Sequence, residues 1–324
     1  MEKKDLRIIF MGTPEFAVGS LQKLVEGGYN VVAVVTQPDK PVGRHQDVLQ
    51  PSAVKEYALS KEIPVLQPVK MKDEGFVEEL KSYHADLQVV VAFRMLPEIV
   101  WAMPRFGTFN VHAALLPQYR GAAPINWAVI NGEIQTGVTT FFLDKDIDTG
   151  RIIAQKTFDI PDTADVEYVY DGLMHLGAEI CLETVDKVIA TDGNVPSIPQ
   201  KTSSDLKAAP KIFKETCQIN WSLPAKQVYD FVRGLSPYPG AWTTISLTKT
   251  ESKTNVVLKI FKAEKSKVAS QEPEGTIMAH NNNLFISCSD EWLEITELQL
   301  AGKKRMQARD FINGMRNIEE YSAK

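Results

Sequence analysis

The sequence predicts an α/β protein in two domains, the first Rossmann-like and the second built from β-strands, and three observations carry that prediction. The chain has 324 residues, more than one hydrophobic core commonly serves. In the first 190 residues, strand-like runs that are apolar on both faces alternate with helical patterns, the signature of a parallel sheet covered on both sides. From residue 211 onward short extended runs separated by turn signals replace that alternation, as in a small barrel or sandwich. The expected division is 1–190 for the first domain, 191–209 for a linker and 210–324 for the second.

Taken in order, Leu6–Met11 (LRIIFM) is an apolar run halted by Gly12, and Phe16–Leu24 then spaces its apolar residues as a helix does, so the chain opens strand, loop, helix. Asn30–Thr36 is a second strand, residues 50–61 a helix, Val65 a short extended stretch, 73–83 an amphipathic helix and Leu87–Phe93 a third long strand. Phe109–His112 ends another strand, Pro124–Asn131 suggests a helix, and Gly137–Leu143 can pair with Arg151–Phe158. A long helix follows over 166–190, starting near Thr163 and Asp165. Pro, Ser, Gly and Lys then break the pattern over 191–210, which marks the linker. Beyond it, one helix at 223–234 precedes five extended runs: AWTTISL, NVVLKIF, GTIMAH, LFISCS and WLEITELQL.

Composition narrows the function classes. No apolar run approaches the roughly 18 residues of a membrane span, and the N-terminus enters a strand directly, so neither a membrane segment nor a signal peptide is expected and a cytoplasmic location follows. Cys181, Cys217 and Cys288 are too far apart for a Cys-x-x-Cys zinc site and odd in number, so inert thiols are expected. Residues 1–200 carry 18 Lys and Arg against 27 Asp and Glu, whereas residues 201–324 carry 18 against 14. The mildly basic second half suits a polyanion. Trp221, Trp242 and Trp292 divide between core packing and base stacking, with at least two in the core.

Chemistry concentrates in a few stretches. In NVHAALLPQYRGAAPI, Asn110 and His112 are two apart at a strand end, so both side chains emerge on one face, where open α/β sheets hold their ligands. LDKDIDTG (143–150) alternates Asp144, Asp146 and Asp148, yet it lacks the remaining ligands of a calcium loop. A single carboxylate reaching the histidine fits better, because a general base needs an orienting partner. MGTPEFAV (11–18) is no G-x-G-x-x-G, so the dinucleotide fingerprint is missing, but it supplies a pocket wall with Phe16. TQPDKPVGRH (36–45) is a Pro- and Gly-broken loop bearing Lys40 and Arg44. Neither metal-ligand spacing nor a P-loop is present, and no metal is expected.

These motifs, in this order, together with INWSLPAKQVYDFVRGLSPYPGAW (219–242), resemble the methionyl-tRNA formyltransferases over nearly the whole chain. The resemblance implies a Rossmann-like formyltransferase domain followed by an OB-like β-barrel, acting on initiator methionyl-tRNA with 10-formyltetrahydrofolate as co-substrate; a monomer is the default state. It makes Asn110, His112 and Asp148 the catalytic set. It assigns Phe93, Arg94, Met95, Leu96, Asp144, Lys145 and Asp146 to the pterin, and Gly12, Thr13 and Phe16 to the methionyl end. Lys40 and Arg44 fall to the acceptor stem, Leu116 and Pro117 join the substrate-binding residues, and Arg120 and Gly121, also counted with them, support the active-site turn. Two departures stand out: His45-Gln46-Asp47 follows Arg44 where a Gly-Arg-Gly-Lys-Lys run is common, and Gln118 replaces an Arg. Fewer fixed charges imply a weaker phosphate contribution.

Overall fold

The structure, a computed structural model, describes residues 1–42, 48–247, 255–315 and 317–324. In chain order it contains β1 (Ile8–Gly12), α1 (Glu15–Glu26), β2 (Val31–Val35), α2 (Ala53–Ser60), β3 (Val65–Leu66), α3 (Glu74–Ser82), β4 (Leu87–Val91), α4 (Glu98–Trp101) and β5 (Thr108–His112). There follow α5 (Pro124–Ile130), β6 (Gln135–Phe142), β7 (Ile152–Asp159) and α6 (Val166–Ala190). The strand order is β7-β6-β5-β4-β1-β2-β3. The five strands from β5 to β3 are parallel, and β6 and β7 join antiparallel. The expected parallel sheet is present, then, with an antiparallel pair at one edge.

Sequence chemistry explains the elements. Every residue of β1 (IIFMG) and of β4 (LQVVV) is buried, as a strand covered on both faces requires. Each large side chain sealed in this way, Phe10 and Phe109 among them, contributes about 1.5–3 kcal/mol relative to exposure. Ser52 caps α2 by accepting from Lys55 N at 3.1 Å, Asp73 caps α3 through Phe76 N at 3.0 Å, and Asp165 accepts from Tyr168 N at 3.0 Å where α6 starts. Pro124 opens α5, where a missing N–H costs nothing.

The chain packs as two compact units that are not consecutive stretches. One comprises residues 1–121, 135–159 and 170–208; the other takes 122–134, 160–169 and 209–324. The second holds α7 (Ala225–Gly234), β8 (Ala241–Leu247), β9 (Val256–Ala269), β10 (Ile277–His280), β11 (Asn283–Ser287), β12 (Glu291–Leu300), α8 (Ala308–Gly314) and β13 (Tyr321–Ala323). Its antiparallel order is β10-β11-β12-β9-β8-β13. Thr276, just before β10, bridges Ser322 of β13, so the two ends of the sheet meet and the barrel nearly closes. Gly275 makes the closure possible: its φ is +82°, and a Cβ there would stand 2.1 Å from the Ala323 carbonyl oxygen. Val228, Val232 and Leu235, from α7 and its end, pack into the barrel core with Trp221, Ile260 and Leu298.

Differences from expectation are local. Strand β9 runs to Ala269, past the apolar NVVLKIF, because its second half (KAEKSKVA) pairs with β12 while leaving Lys262 and Lys267 exposed. Helix α8 has no counterpart in the sequence reading, and within the loop read over 36–45 Lys40–Val42 form a strand that pairs with Val48–Gln50. All three cysteines are free and buried; burial pushes the Cys181 and Cys288 thiols up to about 12. Trp221 and Trp292 are buried, and Trp242 is half-buried with its Nε1–H donated to Lys214 O at 2.7 Å. Among the described residues no helix is long and apolar enough to cross a membrane, and no group of three His, Cys, Asp or Glu side chains is placed to share a metal ion.

Candidate active site

Gly12, Val91 and Val111 lie abreast at the ends of β1, β4 and β5. The chain's candidate chemistry gathers along this line and on the adjoining face of β5. Gly12 is fixed by space: a Cβ there would fall 2.6 Å from Ala17 Cβ and 2.9 Å from Val91 O. On β5 the alternation that buries Phe109 and Val111 turns Asn110 and His112 to the opposite face.

His112 is buried, and its Nε2 lies 2.9 Å from the carbonyl oxygen of Tyr119. A carbonyl only accepts, so the neutral ring carries its proton on Nε2 and leaves the Nδ1 lone pair free. That Nδ1 is 3.9 Å from Asp148 Oδ2, too far for a hydrogen bond yet close enough to stabilise a positive ring. The partner that orients the imidazole is therefore the Tyr119 carbonyl. Asp148 faces the open Nδ1.

Strand β6 runs against β5, which puts Leu143 N 2.8 Å from Thr108 O at the far end of β5. The loop after β6 must double back for Asp148 to reach His112. Two positions permit the reversal: Asp148 is in the left-handed region at φ +55°, and Gly150 lies where a Cβ would be 1.7 Å from Phe142 O. Gly121 N donates to Asp148 Oδ2 at 2.9 Å. Gln200 braces both sides of the turn, donating from Nε2 to Asp148 O and Gly150 O, each at 2.8 Å, and accepting on Oε1 from Arg120 Nη2 at 2.7 Å and Nε at 3.1 Å. The 113–121 loop is pinned in turn: Thr139 Oγ1 accepts from Leu116 N at 3.1 Å and donates to Ala114 O at 2.6 Å, and Gln155 Nε2 donates to Leu116 O at 2.8 Å.

Asn110 is the exception in this well-bonded region. Its Oδ1 is buried and has no hydrogen-bond partner among the described residues. Such an atom costs about 1–3 kcal/mol when left unpaired, and a half-turn about χ2 would put the amide N–H₂ in its place. A carboxamide held ready beside a histidine is suited to a substrate oxygen.

The remaining expected residues divide. Asn110, His112, Arg120, Gly121 and Asp148 come together. Leu116 is core, packed with Phe141 and Ile152, and Pro117 is half-buried beside it. Phe16 is buried edge-on to Tyr170, centroids 5.3 Å apart, and Thr13 Oγ1 reaches Thr36 Oγ1 at 3.4 Å. After β4, Phe93 is half-buried, Met95 is exposed and Leu96 belongs to the core. Arg94 donates to the carbonyls of Pro68 and Val69, and burial pulls its guanidinium below the ordinary arginine range. Asp144, Lys145 and Asp146 are exposed, with Asp144 Oδ1 accepting from Lys145 N at 2.6 Å and Asp146 O accepting from Thr149 Oγ1 at 3.1 Å. Lys40 is exposed on the hairpin, and Arg44 lies outside the described residues. Sequence reasoning missed Tyr119, whose backbone oxygen acts whatever its side chain, and Gln200, set in a stretch that reads as linker.

The family pattern described as formyl transferase matches residues 6–185, and that of the formyl transferase C-terminal domain matches residues 211–316. The chain belongs to the formyl transferase family. Among its curated relatives, the methionyl-tRNA formyltransferase of Parabacteroides distasonis is 59% identical over 99% of both chains, and that of Bacteroides fragilis is 54% identical over 100% of this formyl transferase and 99% of the relative. In fold it is similar to HypX from Aquifex aeolicus in complex with tetrahydrofolic acid, with a TM-score of 0.62 and 19% identity over 96% of this chain and 48% of that one. It is also similar to an N-formyltransferase from Helicobacter canadensis in complex with folinic acid and dTDP-3-aminofucose, with a TM-score of 0.62 and 18% identity over 93% of this chain and 100% of that one.

Proposed function

We propose that this chain transfers the formyl group of 10-formyltetrahydrofolate to the α-amino group of initiator methionyl-tRNA, supplying the charged tRNA that starts translation. The substrate pair is supported by the full-length likeness to methionyl-tRNA formyltransferases. One observation carries the chemistry: His112 is held by Tyr119 O through Nε2 while Nδ1 stays open beside Asp148.

The donor supplies a formyl carbon bonded to a nitrogen that can leave. For the amine to attack, it must be neutral, and the α-amine of an aminoacyl ester loses its proton at or below the ordinary α-amino range of about 7.7–8.0. The ammonium proton goes to solvent; as the neutral amine attacks, His112 Nδ1 accepts a proton from the attacking nitrogen, and Asp148 stabilises the resulting imidazolium without moving. The Asn110 amide N–H₂, turned into the place of its unpartnered oxygen, donates to the formyl oxygen as negative charge builds there. When the new C–N bond has formed and the old one breaks, His112 returns its proton to the departing nitrogen. The backbone around Phe93–Leu96 and the Asp144–Asp146 loop hold the pterin, Gly12, Thr13 and Phe16 border the methionyl end, and Lys40 and Arg44 meet the acceptor stem. Residues 1–190 carry catalysis, 210–324 contact the tRNA, and 191–209 join them while lending Gln200 to the turn. The enzyme works as a monomer in the cytoplasm.

The test is formyl transfer from 10-formyltetrahydrofolate to initiator methionyl-tRNA, elongator methionyl-tRNA and an amino-sugar nucleotide in parallel. Transfer to the initiator alone is expected. Transfer to the sugar alone would keep the catalytic set and overturn the substrate.

A further inference from the structure

We propose that Asp39 and Lys55 form a clamp that positions the hairpin before it meets the tRNA; the idea rests on the reading that Lys40 and its hairpin face the acceptor stem. The hairpin pairs Lys40 with Gln50, Pro41 with Leu49 and Val42 with Val48. Two side-chain links close its neck. Thr36 Oγ1 and Ser52 Oγ lie 2.7 Å apart, joining the residue after β2 to the cap of α2. Asp39 Oδ2 accepts from Lys55 Nζ at 2.6 Å, joining the residue before the hairpin to the first turn of α2. The second carboxylate oxygen is also engaged: Gln67 Nε2 donates to Asp39 Oδ1 at 2.7 Å and to Gln37 O at 3.0 Å.

Helix α2 does not need the clamp for its own sake, since Ser52 caps it and Val54 and Ala58 are fully buried. What the clamp fixes is the angle and register at which the excursion leaves the sheet. A neck closed in the free protein removes loop freedom that binding would otherwise have to remove, so affinity rises without a new contact. Lys55 is thereby a structural cation, its charge spent on Asp39.

The experiment measures steady-state formyl transfer by the full chain carrying Asp39→Ala, Lys55→Ala or both. The clamp predicts a rise of about tenfold in KM for methionyl-tRNA in each single variant, with kcat and KM for 10-formyltetrahydrofolate within about twofold. The double variant is expected to be no worse than the poorer single, because both remove one interaction. Simple electrostatics predicts the opposite sign for Asp39→Ala: losing a carboxylate and freeing a lysine would lower KM for a polyanion and steepen its salt dependence. A lowered or unchanged KM overturns the proposal, as does an equal rise in both KM values. Asp39→Asn, which keeps the Gln67 hydrogen bond and loses the charge, covers the case of an unstable alanine variant, with an intermediate rise expected. Amide hydrogen exchange over Lys40–Val42 and Val48–Gln50 judges the clamp independently of substrate: about tenfold faster exchange in Asp39→Ala supports it, and unchanged exchange overturns it. A wild-type chain that transfers no formyl to methionyl-tRNA while the exchange behaves as expected refutes the functional reading and leaves the clamp standing.

Discussion

Two acid–base clusters in this molecule use similar residues to opposite ends. In the second unit Asp230 and Arg233 are both buried on α7, and each is fully engaged. Asp230 accepts from Arg233 Nε at 2.7 Å and from Lys226, while Arg233 Nη1 also donates to Ala164 O at 2.8 Å and Pro161 O at 3.4 Å. Gly132 fits against this carboxylate because a Cβ would stand 2.6 Å from Asp230 Oδ2. Around His112 the scaffold is equally well bonded, but the atoms proposed to react are left short of partners: Nδ1 stops 3.9 Å from Asp148, and Asn110 Oδ1 has none among the described residues. A satisfied buried network specifies structure, and an under-satisfied one on a rigid frame is poised for a substrate.

The contrast is open to attack in order of effect. His112→Ala and Asn110→Ala should each lower kcat by about 10²–10³, the usual worth of a general base or an oxyanion donor. Asn110→Ala should also leave the protein no less stable, because it removes a buried oxygen that already lacks a partner and relieves that cost. Single-turnover transfer with urea unfolding on the same samples checks both, and near-wild-type rates would break the assignment. Asp230→Ala should reverse the pattern, costing about 3–5 kcal/mol by stranding Arg233, while the molecules that remain folded keep their kcat.

A smaller effect is expected at Gln200. Gln200→Ala unties Arg120 from the Asp148 turn and should lower kcat/KM by about tenfold, or 1.4 kcal/mol of transition-state stabilisation. An unchanged value would mean that Gly150 and Gly121 suffice to hold the turn. The smallest effect concerns pH. A hydrogen bond from Lys265, aided by the charges of Lys226 and Arg233, holds the Asp162 carboxyl below the ordinary carboxylate range. Its contribution to stability is present above that range and is lost as pH falls through the depressed folded value. Asp162→Asn should flatten that part of the acid-unfolding profile, read by circular dichroism between about pH 5 and 2.

Much of this was legible in the sequence for physical reasons. A strand such as IIFMG announces itself because burial on both faces leaves no polar residue to confuse the pattern. Asn110 and His112 stood out because polar groups two apart in an apolar strand share a face. The doubling back of the loop to bring Asp148 to His112 could not be read, since it depends on β6 running antiparallel and on the space around Gly150. Nor could Tyr119 be found, because a backbone oxygen leaves no residue signature. The lysine-rich half of β9 hid its strand by carrying charge on the solvent side.

The interleaving of the two units has a consequence for heredity. The segments that satisfy Arg233 and Tyr229, namely Pro161, Asp162 and Ala164, are encoded far upstream of the barrel they pack with. Recombination between related genes at the obvious crossover, the stretch around residue 200, would pair one parent's α7 with the other parent's 122–134 and 160–169. A working chimera must therefore inherit three separated pieces of gene together, or keep the few contacts that join them unchanged in both parents.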